Sequence, residues 1–76
     1  EPEQLIFPNP TSCSVMLINK NNISAVKLFN LEGRLVYENY PNSTVFKINV
    51  SFLSNGVFIL KTISNKKELV QKIMIY

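Results

Sequence analysis

Val45-Phe46-Lys47-Ile48-Asn49-Val50 alternates apolar and polar side chains more cleanly than any other stretch of this chain. A period of two is that of a strand with one buried face. Phe46, Ile48 and Val50 are therefore expected to face a core, and Lys47 and Asn49 to face water. Moving toward the C-terminus, Ser51 to Asn55 reads as a loop with room for one tight helical turn. Gly56 then releases the chain into Val57 to Ile63, the most apolar strand and the one expected to lie most centrally. Ser64-Asn65-Lys66-Lys67 reads as a hairpin turn and Glu68 to Ile75 as the last strand. Toward the N-terminus, Tyr40-Pro41-Asn42-Ser43 is a longer connection and Leu35 to Glu38 a strand. Leu31-Glu32-Gly33-Arg34 is a turn, with Gly33 the residue that tolerates positive φ. Ala25 to Asn30 is a strand with Val26 and Leu28 on one side and Lys27 on the other. Lys20-Asn21-Asn22 reads as a turn, Ser14 to Asn19 as a strand that sets Val15 and Leu17 against Met16 and Ile18, and Leu5-Ile6-Phe7 as a short first strand. Pro8-Asn9-Pro10 stops that strand, since proline cannot donate to a ladder and restricts the residue before it.

No long stretch places apolar residues at helical spacing. Seven short strands between Asn, Ser, Gly and Pro clusters predict an all-β fold, a seven-stranded antiparallel immunoglobulin-like β-sandwich. A small barrel shares the same in-and-out alternation. Val15 and Leu17, Val26 and Leu28, and Ile48 and Val50 are the expected inner-face pairs. Truncating a fully buried one of these to alanine costs on the order of 2–4 kcal/mol, a large part of the stability of so small a domain. The chain of 76 residues forms one domain, and at 46 % hydrophobic it is too apolar for a disordered segment. Its apolar runs, Val57 to Leu60 among them, are far shorter than the roughly 20 residues that cross a bilayer, so no direct membrane insertion is expected. Glu1-Pro2-Glu3-Gln4 has no initiator methionine, basic region or apolar region, and reads as a linker (residues 1–4) ahead of a domain at residues 5–76, as if cut from a larger protein.

The residue types present exclude most chemistry. With no histidine and one cysteine, the chain cannot form a Ser-His or Cys-His nucleophile pair, an imidazole zinc site or an internal disulfide. Gly33 and Gly56 lie too far apart for a phosphate-cradling loop. With no aspartate and glutamates only at positions 1, 3, 32, 38 and 68, neither a calcium cage nor a general acid is expected. The chain is thus read as no enzyme, with no cofactor and no metal. Cys13 reads as a small, buried apolar side chain at a strand entrance. The aromatic residues Phe7, Phe29, Tyr37, Tyr40, Phe46, Phe52, Phe58 and Tyr76 could form a stacking platform for sugar or single strands, but fit core and sheet-face positions better. In residues 1–60, Lys20, Lys27, Arg34 and Lys47 cancel Glu1, Glu3, Glu32 and Glu38, so no basic stripe for nucleic acid is available there. The net charge of +3 sits in the last sixteen residues, where Lys61, Lys66, Lys67 and Lys72 outweigh Glu68. Such an excess either steers an acidic partner or blunts an exposed sheet edge against aggregation.

Four segments carry a family resemblance. Phe7-Pro8-Asn9-Pro10 resembles the [Y/F]-P-N-P opening of the type A C-terminal sorting domains of the type IX (Por) secretion system. Phe29-Asn30-Leu31-Glu32-Gly33-Arg34-Leu35-Val36 resembles their Y-D-L-x-G-R-x-V turn, and Leu53 to Lys61 their L-x-x-G-x-Y-x-[LIV]-[KR] segment. Gln71 to Tyr76 resembles their terminal K-[IL]-[IV] strand. Order and spacing match across Ile6 to Tyr76, with Phe7 and Phe58 standing for tyrosine, Asn30 for aspartate, Cys13 for a polar residue and Tyr76 for a terminal lysine or glutamine. Pro8, Asn9, Pro10, Gly33, Arg34 and Gly56 are the positions matched to the family motifs.

The resemblance implies an address rather than a reaction. A domain of this family is attached to an N-terminal cargo and folds in the periplasm. It is recognised by the outer-membrane translocon and its shuttle protein, and is then removed by a sortase-like peptidase. The cargo is released or joined to lipopolysaccharide, so the localisation implied is secreted or cell-surface. The cut would fall at or before Glu1 to Gln4. Recognition is expected on the last hairpin, through Lys66, Lys67, Lys72, Ile73 and Ile75, by strand pairing and by charge. Two other readings remain open at this level. One is an accessory immunoglobulin-like module that binds carbohydrate or spaces domains in a secreted protein; the other is a small intracellular β-domain that binds a protein.

Overall fold

Val15, Leu17, Val26, Leu28, Ile48 and Val50, the residues that periodicity places inward, are all fully buried in the computed structural model, which describes residues 3–8 and 13–76. They join Ile23, Phe58, Leu60, Ile73 and Ile75 in a single core. Six strands carry them: β1 (Gln4–Phe7), β2 (Ser14–Phe29), β3 (Leu35–Asn39), β4 (Ser43–Asn49), β5 (Gly56–Ser64) and β6 (Lys67–Ile75). All pairings are antiparallel and belong to one sheet.

The sixteen-residue strand β2 organises the sheet. Its first half pairs with β1 and β4, and its second half with β3 and β5. Ile23 faces Ser43 of β4 and Ser64 of β5, so β3 and β4 follow each other along one flank of β2 while β1 and β5 share the other. β6 pairs with β5 and ends the series β1-β2-β5-β6. The sheet curls so that β1-β2-β4 and β3-β2-β5-β6 close on the same core, giving a radius of gyration of 11.4 Å, the value for a compact chain of this length.

Among the described residues the seven-stranded immunoglobulin-like sandwich is therefore corrected to a curled antiparallel sheet of six strands. The difference lies at Lys20-Asn21-Asn22, which continues β2 instead of turning. Asparagine favours turns because its side chain can satisfy local backbone groups. Here those side chains serve a strand that stays extended. Asn19 Oδ1 accepts from the Asn21 N–H at 2.8 Å, and the Asn22 and Asn42 side chains bond to each other. A bulge follows: Ile23 pairs with Ser64 and Ala25 with Ile63, so Ser24 is the extra residue, and its hydroxyl donates to the Ile63 carbonyl at 3.0 Å. One extra residue reverses which parity faces inward. Val15, Leu17 and Ile23 point into the core before it, and Val26 and Leu28 after it.

The remaining expectations fare as follows. β5 is interior, flanked by β2 and β6, yet β2 has the most neighbours. Ser51 to Asn55 holds a turn closed by the Leu53 N–H on the Val50 carbonyl at 3.0 Å, and no helix. Cys13 is exposed, not buried; its carbonyl accepts from the Val50 N–H at 2.8 Å. Gln4, read as linker, is built into β1 and its side chain is buried. Gln4 Nε2 donates to Thr62 Oγ1 at 3.2 Å and to Gln71 Oε1 at 2.7 Å, while its Oε1 accepts from Asn19 Nδ2 at 2.9 Å. Ser64 Oγ donates to Asn19 Oδ1 at 3.2 Å, so these buried polar groups satisfy one another, as interior polar groups must.

Candidate functional site

Among the described residues no three His, Cys, Asp or Glu side chains gather as a metal site, no cavity opens, and no helix is long and apolar enough to cross a membrane. What the structure offers is surface. The turn of the last hairpin holds Asn65 at φ 52° and Lys66 at φ 62°, the two left-handed residues of a type I′ connection. Lys66 and Lys67 are exposed there, and Lys67 Nζ lies 3.2 Å from Glu3 Oε1. Lys72 is exposed on β6 opposite Ile59.

Ile73 and Ile75 correct the sequence reading. They are 1 % and 3 % exposed and belong to the core, because β6 turns its odd-numbered residues inward. Their side chains face the interior and not the surface. Val70, Lys72 and Met74 face outward in their place.

Strand register builds a face around these residues. Phe29, Ile59 and Lys72 lie opposite one another on β2, β5 and β6. In the next row Glu38, Lys27, Lys61 and Val70 run across β3, β2, β5 and β6. Lys27 and Lys61 are thus direct cross-strand neighbours, an arrangement that costs stability when the charges are alike. Glu38 Oε2, 3.9 Å from Lys27 Nζ, eases one of them. The ring of Phe29, 5.2 Å from Lys61 Nζ, eases the other through its quadrupole. Glu68 follows on the same face, opposite Ile63. The outer side of β2-β5-β6 is therefore a mixed apolar and cationic surface, with three lysines on adjacent strands. Lys27 lies outside the last hairpin and escapes a reading of it alone, whereas Val70 and Met74 lie on it and are missed when Ile73 and Ile75 are taken as its outward residues. Lys27 does show the outward parity locally, but only pairing across 34 residues of chain brings it beside Lys61.

Among the described motif positions, Gly33 and Gly56 hold backbone conformations that favour glycine. β1 stops at Phe7, the Phe7–Pro8 peptide is cis, and Asn9 and Pro10 lie outside the described residues. Gly33 has φ 87° in a turn where its N–H meets the Asn30 carbonyl at 3.0 Å. Asn30 Oδ1 accepts from the N–H groups of Glu32 and Arg34, both at 2.9 Å, so asparagine does here what an aspartate could. Arg34 is exposed. Gly56 enters β5 at φ 148°, a conformation that a side chain would strain. Exposed aromatics do not line up as a platform: Phe52 packs on Tyr37 with ring centroids 6.2 Å apart, and Tyr40 donates to Glu38 Oε2 at 2.9 Å. That bond first, then desolvation and the charge of Glu38, raises the Tyr40 phenol above its ordinary pKa.

Comparison with known proteins follows the same lines. A family model described as secretion system C-terminal sorting domain matches residues 5–76. The chain is 36 % identical over 69 residues to ulvan lyase NLR42 of Nonlabens ulvanivorans, an alignment that covers 87 % of this chain and 13 % of that protein. Its fold resembles, at a TM-score of 0.76 and 20 % identity, part of PorZ, described as an essential bacterial surface component of the type IX secretion system of Porphyromonas gingivalis. That match covers 96 % of this chain and 11 % of PorZ.

Proposed function

The chain belongs to the family of secretion-system C-terminal sorting domains, and from that membership we propose that it directs an attached cargo through the outer-membrane translocon of the type IX system. A sorting domain of this system is a tag for secretion to the cell surface or beyond, so its task is to be recognised. The observation that carries the reading is the match over residues 5–76. In this proposal residues 5–76 form the sorting domain and the chain upstream leads to the cargo. The domain is read by the translocon and its shuttle protein and is then removed by a sortase-like peptidase.

The recognition surface proposed is the outer face of the last hairpin. Lys61 and Lys72, with Lys27 beside them, attract an acidic surface, and Val70 and Met74 supply apolar contact. Lys66 and Lys67 extend the positive field at the turn. The peptidase cut falls upstream of Gln4, because a protease needs extended, accessible backbone and Gln4 is buried and paired with Asn19.

A reporter with an N-terminal export signal, fused to residues 1–76 and produced in a bacterium with this system, tests the reading. Export to the medium or cell surface is expected. Lys61→Glu with Lys72→Glu should reduce export at least tenfold while the fused domain keeps its melting temperature. A reporter retained in the periplasm with the unaltered domain would reject the sorting role; export unchanged by the double reversal would reject the recognition face.

A further inference from the structure

On the half of the sheet away from the last hairpin, the outer face carries an apolar surface that the fold does not use. Leu5, Ile18 and Val45 lie directly opposite one another on β1, β2 and β4. One step along, Phe7 and Met16 form the next row, completed by Lys47. Leu5 is 48 % exposed, Val45 48 %, Phe7 46 % and Ile18 37 %, and none of them belongs to the core. A sheet with one buried face ordinarily carries polar residues on the other. The hairpin half follows that rule in part, with Lys27, Lys61 and Lys72 set among the exposed Val70 and Met74. This half departs from it at neighbouring positions on three strands, and exposed apolar patches of that kind mark interaction surfaces.

Charge indicates what covers it. Lys20 occupies the outward position after Ile18 on β2, and Lys47 the one after Val45 on β4, so exposed cations bracket the patch. Glu3, whose carbonyl accepts from the Lys20 N–H at 3.2 Å, has its carboxylate engaged by Lys67. We infer that this face docks a protein partner presenting apolar side chains flanked by carboxylates, with Ile18 at the centre and Lys20 and Lys47 at the rim. A second copy of the chain fits poorly, because a two-fold pairing of the face with itself sets lysine against lysine. An anionic bilayer fits poorly as well. Interfacial binding depends on apolar groups immersed several ångströms into the headgroup boundary, and here short side chains stand on a flat strand face between only two lysines. A protein surface can both pack on the patch and neutralise its rim. The surface lies on the opposite half of β2 from the Lys27-Lys61-Lys72 row. This inference does not rest on the sorting role.

The test uses the full-length protein in its native cells, with the photo-crosslinking residue p-benzoylphenylalanine placed at position 18, and at Asn55 as an exposed control. Irradiation should give a protein adduct from position 18 at least tenfold above the control, with the crosslinked peptide carrying Asp or Glu beside apolar residues. Lys20→Glu combined with Lys47→Glu should lower its yield at least fivefold. An adduct with lipid, an adduct with a second copy, no adduct above control, or a protein adduct indifferent to the charge reversal would each overturn the inference. Because bulk at position 18 can itself block docking, the same crosslinker at Val45 provides an independent reading judged by the same outcomes. Export of the unaltered protein is followed in parallel: failure to export it, with the adduct still formed in the position-18 variant, rejects the sorting role alone, and export retained with no adduct rejects this inference alone.

Discussion

Gln4 Nε2 donates to Gln71 Oε1 at 2.7 Å and so joins the first strand to the last across the interior of the sheet. The same amide donates to Thr62 and accepts from Asn19, which makes Gln4 the hub of the buried polar group. Gln4→Ala leaves two buried partners, Asn19 and Thr62, and the half-buried Gln71 short of a bond, and an unmet buried polar group costs about 1–3 kcal/mol. We expect a loss of about 2–3 kcal/mol in urea unfolding. A double-mutant cycle with Gln71→Ala should show coupling above about 0.5 kcal/mol, the sign of a shared network. Additive losses would mean that the bond contributes little.

Core and surface residues on the same strand should differ sharply. Ile48→Ala removes a fully buried side chain that faces Val15 and should cost about 2–4 kcal/mol. Val45→Ala, three residues earlier on the exposed face, should cost less than about 1 kcal/mol. Equal losses by thermal or chemical unfolding would contradict the inward and outward assignment of β4.

The hairpin turn carries local strain at Lys66, whose φ of 62° costs a residue with a side chain roughly 1 kcal/mol. Lys66→Gly removes that penalty and should raise stability by about 0.5–1 kcal/mol. Lys66→Val should lower it, since branching at Cβ suits this backbone least. A glycine variant that melts below the parent would show the turn to be relaxed as it stands.

Tyr40 should titrate above the ordinary phenol range in ultraviolet absorbance, chiefly because its hydroxyl donates to Glu38. Glu38→Gln should bring the titration down. A group with a raised folded-state pKa adds its stability below the unfolded pKa and loses it as pH climbs through the folded value. Any loss from this pair therefore appears only in the alkaline range, and a phenol titrating at its ordinary value would remove the effect.

Local pattern settled a good deal of this molecule. The period of two along Val45 to Val50, and the inward choice of Val15, Leu17, Val26, Leu28 and Ile48, follow from which side chains water rejects, a property of each stretch by itself. The turns at Gly33 and at Asn65 follow from residues whose backbones or side chains suit them. Four motif segments in order sufficed for the family.

Only the tertiary structure decided that Lys20-Asn21-Asn22 stays extended, that β2 serves both groups of strands, and that Gln4 is interior. It also moved the candidate surface from Ile73 and Ile75 to Val70, Lys72 and Met74, and brought Lys27 beside Lys61. The reason is that alternation does not say which face meets the core where both faces hold apolar residues, as Ile73 and Ile75 against Val70 and Met74 do, and it carries no information on which strands pair. Those choices depend on contacts between residues far apart in the chain, where burial of the whole apolar set overrides the turn preference of a few asparagines.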